Sequence, residues 1–544
     1  MKTFEQRLIL ISLVSIALVI TPFISYEPNT QPKFFILVPL SVIALFNILF
    51  RKEVYNYKKY FIPLIFIWLY VIFSLMSFIF SSQPIVKQIY GIQGRNLGLI
   101  TYLCFIIFFA FSMFNSSLKL IDTALNAILI SGFASAALGV AQLFGFNIYK
   151  GSNPAYGLGV GFLGNPNFQS ALLGISLVVC ASLLFDPTKP RIFLCFQIVI
   201  TLIALSGAKS TQGYAVAIIG VATVFAQKLY SKNYIKTLLI FIFTGSVLLI
   251  FSILGFLGKG PISNYLYQTS TTYRGDYWRT AWRMMIENPL IGLGFDSYRD
   301  NYRLYRDSLA TNRRGPEGIA DSPHNTLLDA GVNGGFGLFI INILIVIFIL
   351  FIIIKYLRNT KTQDPRVIGL FAVWVAFMAQ TLISLGNIAL SLWGWIIGGL
   401  IVGLEINSKN LLNTGSNKKR ITLKTKTQVL LGVIFGAAVS GPNFIYDTNF
   451  ASAYKSGKVE RIISSAKSWP GDGYKMAMVV EILINNSFTP DALNLAKTTT
   501  QKYPEVYEAW KSYYNVPGIS LEEKNKIMSM LQKLDPQNKT LVLP

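Results

Sequence analysis

Apolar positions along this chain gather into long runs separated by short polar stretches. Thirteen such runs stand out, at about residues 8–24, 34–50, 60–80, 97–114, 120–144, 170–185, 192–206, 214–226, 238–258, 336–354, 367–385, 389–404 and 429–440. A hydrocarbon core of roughly 30 Å is crossed by about 20 apolar residues in a helix, so each run predicts a membrane span. The eighth and the last are the shortest. The predicted fold class is therefore all-α, a polytopic helical membrane protein of about 12–13 transmembrane helices. Between the ninth and tenth runs lies one long hydrophilic connection, 259–333. From about residue 443 the pattern turns soluble, with short amphipathic helices expected to break at Pro470, Pro490, Pro504 and Pro517. The expected organisation is a polytopic transmembrane part, 1–442, followed by a small helical domain, 443–544.

Composition supports the same reading. The chain is 53% hydrophobic and 14% aromatic, with only 13% charged residues, half the charge of an ordinary soluble protein. That excludes a cytosolic enzyme and a disordered chain. The net charge of +23, from 48 basic and 25 acidic residues, would suggest nucleic acid in a soluble protein. Here the basic residues cluster in alternate connections: Arg51-Lys52 through Lys58-Lys59, Lys119, Lys189 with Arg191, Lys228 to Lys236, Lys355 to Arg366, and Lys409 to Lys426. Cytoplasmic loops carry such excess. The expected topology has a cytoplasmic N-terminus with the first run as a signal anchor, since no A-x-A-like cleavage site follows it. It places 259–333 and 443–544 outside. The tail holds 12 basic and 10 acidic residues, so the excess belongs to the membrane part and calls for a lipid bilayer, not nucleic acid.

Cys104, Cys180 and Cys195 all lie in apolar runs without a C-x-x-C pair, so neither a metal site nor a cofactor is predicted. The one histidine, His324, closes the long connection in Asp321-Ser322-Pro323-His324-Asn325-Thr326. It is either a polar loop residue or a general base, for which its pKa suits it. The same connection carries eight arginines, Arg274, Arg279, Arg283, Arg299, Arg303, Arg306, Arg313 and Arg314, against one lysine and eight acids. Arginine forks match phosphate oxygens, yet with so many acids present most of these must be structural ion pairs. Arg95 stands at the mouth of the fourth run in Gly94-Arg95-Asn96-Leu97-Gly98, where it either snorkels to the interface or meets a lipid diphosphate. Gly164-Asn165-Pro166-Asn167 and Lys209-Ser210-Thr211-Gln212-Gly213 fall on the same predicted face, as one external site requires.

These motifs, in this order, resemble the O-antigen ligase-like family of ligases, polymerases and pilin-type O-oligosaccharyltransferases. The resemblance rests on Gly94-Arg95-x-x-Gly98, Gly164-Asn165-Pro166-Asn167, the stretch from Arg274 through Trp278 to Asn288-Pro289-Leu290-Ile291-Gly292-Leu293-Gly294, and Pro323-His324-Asn325 followed by Gly331 and Gly334. It spans about residues 60–405. It implies a bacterial inner-membrane enzyme that moves a glycan from an isoprenoid (undecaprenyl-type) diphosphate to a glycan, lipid or protein acceptor on the outer face, by metal-independent inverting transfer. Carried over by position, His324 is the base, and Arg95 and Arg274 hold the diphosphate. Gln212, Asn165, Asn167, Asn325 and Trp278 support them. Many members have a Ser-Arg-Gly-like sequence where this chain has Lys209-Ser210-Thr211-Gln212-Gly213, so Lys209 would supply that charge as a point rather than a fork. In the tail, Pro490-Asp491-Ala492-Leu493, Tyr503-Pro504, Ala509-Trp510 and Leu534-Asp535-Pro536 resemble degenerate tetratricopeptide repeats. Such repeats offer a surface for a protein partner, the alternative being a helical cap without a ligand. A secondary transporter or flippase for a lipid-linked sugar is the competing reading. It predicts ionisable residues deep in the spans of two related halves, and Asp122 is the main acid in any run.

Overall fold

The computed structural model describes residues 2–50, 57–149, 159–407 and 423–541, and among these every regular element is helical. Each of the thirteen apolar runs has its own helix, from Phe4–Leu18 to Thr425–Ser456. Nine of the described helices are long and apolar enough to cross a membrane, and Leu99–Asn115, Arg191–Gly207 and Pro365–Thr381 are shorter apolar ones. Small residues set the closest approaches. A methyl group on Gly399 or Gly403 of helix Ile388–Asn407 would collide with the carbonyls of Phe109 or Met113 on helix Leu99–Asn115. Lipid tails are as apolar as leucine, so close backbone packing replaces hydrophobic collapse as the force between spans.

The connections divide between two ends of the bundle. Arg51-Lys52 and the stretch 409–422 lie outside the described residues. The other lysine-rich connections meet at one end. There Lys189 pairs with Asp122 at 2.7 Å and Lys355 with Glu405 at 3.3 Å. Lys228 donates to the Gln363 carbonyl at 3.3 Å, and Lys361 to Asn233 at 2.7 Å. The Gly94, Asn165 and Lys209 turns and the long connection gather at the opposite, loop end.

The tenth span is broken at its start. Helix Thr326–Thr360 is interrupted by Gly334 (φ −139°, ψ 27°) and Gly335 (φ 65°, ψ −164°), one residue before the apolar run expected from 336. Freed carbonyls must find donors, because an unpaired one in apolar surroundings is costly. The Asn288–Gly294 turn supplies them: Leu293 N–H bonds the Val332 carbonyl at 2.8 Å and Gly294 N–H the Asn333 carbonyl at 3.1 Å. In return Phe336 N–H bonds the Pro289 carbonyl at 2.8 Å. The glycine-rich turn is thus the other half of the helix break.

Helix Thr425–Ser456 runs unbroken through the 442/443 boundary expected from hydropathy. Five further helices follow: Val459–Lys467, Gly473–Asn485, Thr489–Lys502, Tyr507–Tyr514 and Leu521–Leu534. Their core includes Met476, Val479, Val480, Leu495 and Ala496. Pro470, Pro504 and Pro517 fall between helices, whereas Pro490 opens one, where its missing N–H costs nothing. These helices dock on the long connection. Arg306 reaches Asp535 at 2.6 Å with side-chain exposures of 1% and 0%, and Arg303 joins at 3.2 Å.

Asp535→Ala would leave Arg306 buried without its counter-charge, while Arg303 keeps Glu317 and Glu508, each at 3.8 Å. We expect a loss of about 3–5 kcal/mol, read as a lower melting temperature and faster proteolysis of the last five helices in detergent. Lys511→Ala breaks a pair with Glu317 that is 64% exposed on the acid side, and should cost less than about 1 kcal/mol.

Candidate functional site at the loop end

Helix Thr269–Glu287 lies across the loop end and buries Asp276, Tyr277, Thr280, Ala281, Met284 and Met285. Its Tyr277 ring stacks on the His324 imidazole, with centroids 5.5 Å apart at 29°. His324 sits just before helix Thr326–Thr360 in the left-handed region, φ 52°, with its N–H on Ser322 Oγ at 3.1 Å. A non-glycine residue in that region carries strain that the surroundings must hold. Asn325 caps the helix by accepting from Leu327 and Leu328 N–H at 3.0 and 3.1 Å. Its amide donates to the Leu382 carbonyl at 3.2 Å. Cap and strain together fix where the imidazole points.

Arg95 is drawn into the same site. Its guanidinium lies 3.0 Å from Asp296 and 3.5 Å from Asp329, and donates to the Asp321 carbonyl. Asp296 also accepts Ile92 N–H at 2.7 Å, closing the turn on itself. The acids outweigh burial and raise the Arg95 pKa further above its ordinary value. Nη2 keeps no hydrogen-bond partner.

The loop arginines sort clearly. Arg279 and Arg313 share buried Asp276 at 2.6 and 2.7 Å, Arg299 approaches Asp321 at 3.5 Å, and Arg303 and Arg306 hold Asp535. Arg314 donates to the Ile319 carbonyl and lies 5.3 Å from the Tyr277 ring centre. Arg274 and Arg283 make no ion pair or hydrogen bond among the described residues. Arg283 is exposed, but Arg274 is half-buried one turn before Tyr277. Burial lowers its pKa, opposed by Tyr277. Its charge is also the strongest acting on His324. Burial first, then Arg274 and Arg95, depress the His324 pKa from 6.5 to about 4, against an opposing pull from Asp321. The imidazole is accordingly neutral at neutral pH, beside a cation that lacks an anion.

A second polar cluster ties the Asn165 and Lys209 turns together. Asn165 caps helix Pro166–Leu183 by accepting Asn167 N–H at 2.8 Å, and Ser210 Oγ donates to Asn167 Oδ1 at 2.8 Å. Lys209 is exposed at φ 49°. Gln212 is buried, and its Nε2 has no partner. Among the described residues no hydrogen bond or ion pair joins this cluster to His324, Arg95 or Arg274. Trp278 also stands apart. It is 39% exposed, on the outer side of its helix with Arg279, Trp282 and Arg283. The aromatic partner of His324 is its neighbour Tyr277, three residues after Arg274 and so on the same helix face. That spacing was the available signal. Asp296 and Asp329 carried none, being about 200 residues from Arg95.

Below His324 a narrow apolar slot of about 90 Å³ opens beside Thr326, lined by Leu97, Tyr102, Phe105, Trp374 and Trp395 among others. The site thus joins a neutral imidazole, an uncompensated arginine and an apolar groove leading into the bundle.

Residues 193–343 match the family profile described as O-Antigen ligase. The match supports an O-antigen ligase-like membrane glycosyltransferase. It takes in Lys209, Gln212, Arg274, Trp278, His324 and Asn325, whereas Arg95, Asn165 and Asn167 lie outside it. No curated protein matches the chain.

Arg95→Ala should lower the melting temperature of the detergent-solubilised protein, because it strands Asp296 and Asp329, at a cost of about 3–5 kcal/mol. Arg274→Ala removes a charge that pairs with nothing and should leave melting unchanged. Equal losses in both variants would contradict this division.

Proposed function

We propose that the protein transfers a glycan from an isoprenoid (undecaprenyl-type) diphosphate to an acceptor hydroxyl on the outer face of a bacterial inner membrane. The observation that carries this is Arg274, a half-buried cation that has no counter-ion among the described residues and lies beside the neutral His324 imidazole. A buried charge calls for a partner, and the diphosphate supplies one. In this reading His324 accepts the proton of the acceptor hydroxyl as its oxygen attacks the anomeric carbon from the face opposite the carrier. The bond from that carbon to the diphosphate oxygen breaks, and the diphosphate leaves with the electron pair, inverting the centre.

Arg274 balances the charge that develops on the leaving group, so no metal is required. Arg95 contributes its charge beside the leaving group while its ion pairs with Asp296 and Asp329 hold the loops. Lys209 and the Gln212 amide are assigned to the same anion, and Asn165, Asn167 and Asn325 to holding the turns, on the family resemblance. Trp278 is assigned to the surface of the loop helix. The apolar slot accommodates the isoprenoid chain. The acceptor is a lipid-linked glycan, a growing polymer or a protein. The tail, 443–544, acts as an external helical domain.

Purified wild-type protein should transfer glycan in excess EDTA, and His324→Ala should lose about 10²–10⁴-fold in rate. Acidity gives a second readout. A base titrating at about 4 in the free protein keeps kcat/KM level from pH 8 to about 5. Bound diphosphate offsets Arg274, favours the imidazolium and moves the acid limb of kcat to higher pH. Transfer unchanged in His324→Ala, or abolished by EDTA, would overturn the mechanism.

A further inference from the structure

The C-terminal helices do not close flush on the membrane part. They leave a cleft of about 330 Å³, walled by Tyr26 and Glu27, by Gln93, by Arg299 of helix Tyr298–Tyr305, and by Tyr474 and Glu481 of helix Gly473–Asn485. We propose that this cleft is a glycan subsite, holding an uncharged or amino sugar unit of the donor or acceptor glycan next to the reacting centre. The proposal rests on the transferase reading above.

Three features give the cleft this chemistry. The first is a fixed flat platform: the Arg299 guanidinium lies over the Tyr474 ring at 3.8 Å, and the Tyr474 hydroxyl donates to Asp300. Planar π surfaces accept the C–H face of a sugar ring at little entropic cost. The second is Glu27. Its backbone N–H is pinned to Asp447 at 3.1 Å, yet its carboxyl group makes no hydrogen bond among the described residues. Burial pushes it up to about 7, Lys475 opposing. Near neutral pH such a group both donates and accepts, as a sugar hydroxyl requires.

The third feature is the sign of the charge. Asp472 and Glu508 also line the cleft, and burial raises both. Of the two cations present, Lys475 is committed to Asp447 at 2.8 Å and Arg299 to Asp321 at 3.5 Å. An anionic ligand is therefore disfavoured, in contrast to the Arg274 site. Position completes the case. Arg299 touches Asp321, three residues before His324. Glu27 lies against Gly94, where a Cβ would fall 3.0 Å from its carboxylate, and Arg95 follows. The cleft is thus walled by residues in contact with the segments that carry His324 and Arg95.

The test measures binding by the full-length protein in detergent of glycan released by mild acid from the cell's own lipid-linked pool. Wild type and His324→Ala should bind it alike. Glu27→Leu, close in volume but unable to donate or accept, and Glu481→Ala, at the exposed mouth, should each weaken binding about tenfold while keeping the wild-type melting temperature. Binding unchanged in both variants would overturn the subsite, as would displacement from the cleft by oligolysine but not by glycan, which would make it a basic-peptide site. Absent binding with transfer intact sinks the subsite alone. Binding intact in a protein that never transfers sinks the transferase reading and leaves a glycan-binding cleft.

Discussion

The loop end is organised around one buried arginine. Arg95, held between Asp296 and Asp329 and bonded to the Asp321 carbonyl, ties together the turn before the fourth span, the turn after the loop helix and the segment that carries His324. Removing any member leaves a charge stranded away from water. The cluster also sets the chemistry nearby, because Arg95 and Arg274 both bear on His324 while only Arg95 has its acids. One arginine is held by its acids, and the other makes no ion pair among the described residues.

The remaining layers hold that arrangement in place. The break at Gly334-Gly335 separates the segment 326–333, which presents His324, from the span below it, and the Asn288–Gly294 turn satisfies the carbonyls that the break frees. Above, Arg303 and Arg306 on Asp535 fasten the C-terminal helices to the same connection. The loop is clamped from both sides, so the strained backbone of His324 is supported rather than relaxed. A reacting group that must sit within a fraction of an ångström of its substrate needs such support.

The spans were legible because hydropathy is a local property, and all thirteen runs became helices. The alternation of lysine clusters likewise anticipated which connections meet at which end. Pairing was not legible. Five of the eight loop arginines are matched by acids, and apart from Arg279 with Asp276 three residues away the matches cross tens to hundreds of residues, as between Arg306 and Asp535. Motif position pointed to Trp278, while helix periodicity put Tyr277 on the histidine. The boundary at 442/443 was a change in composition only, and the helix crosses it without a break.

In the proposed transfer Arg274 meets the diphosphate, which is checked by the equilibrium binding of an isoprenyl diphosphate to wild type and to Arg274→Ala, in EDTA, with the isoprenyl alcohol as control. The variant is expected to lose at least about tenfold in affinity for the diphosphate and none for the alcohol. Undiminished diphosphate binding by a folded Arg274→Ala protein would contradict it.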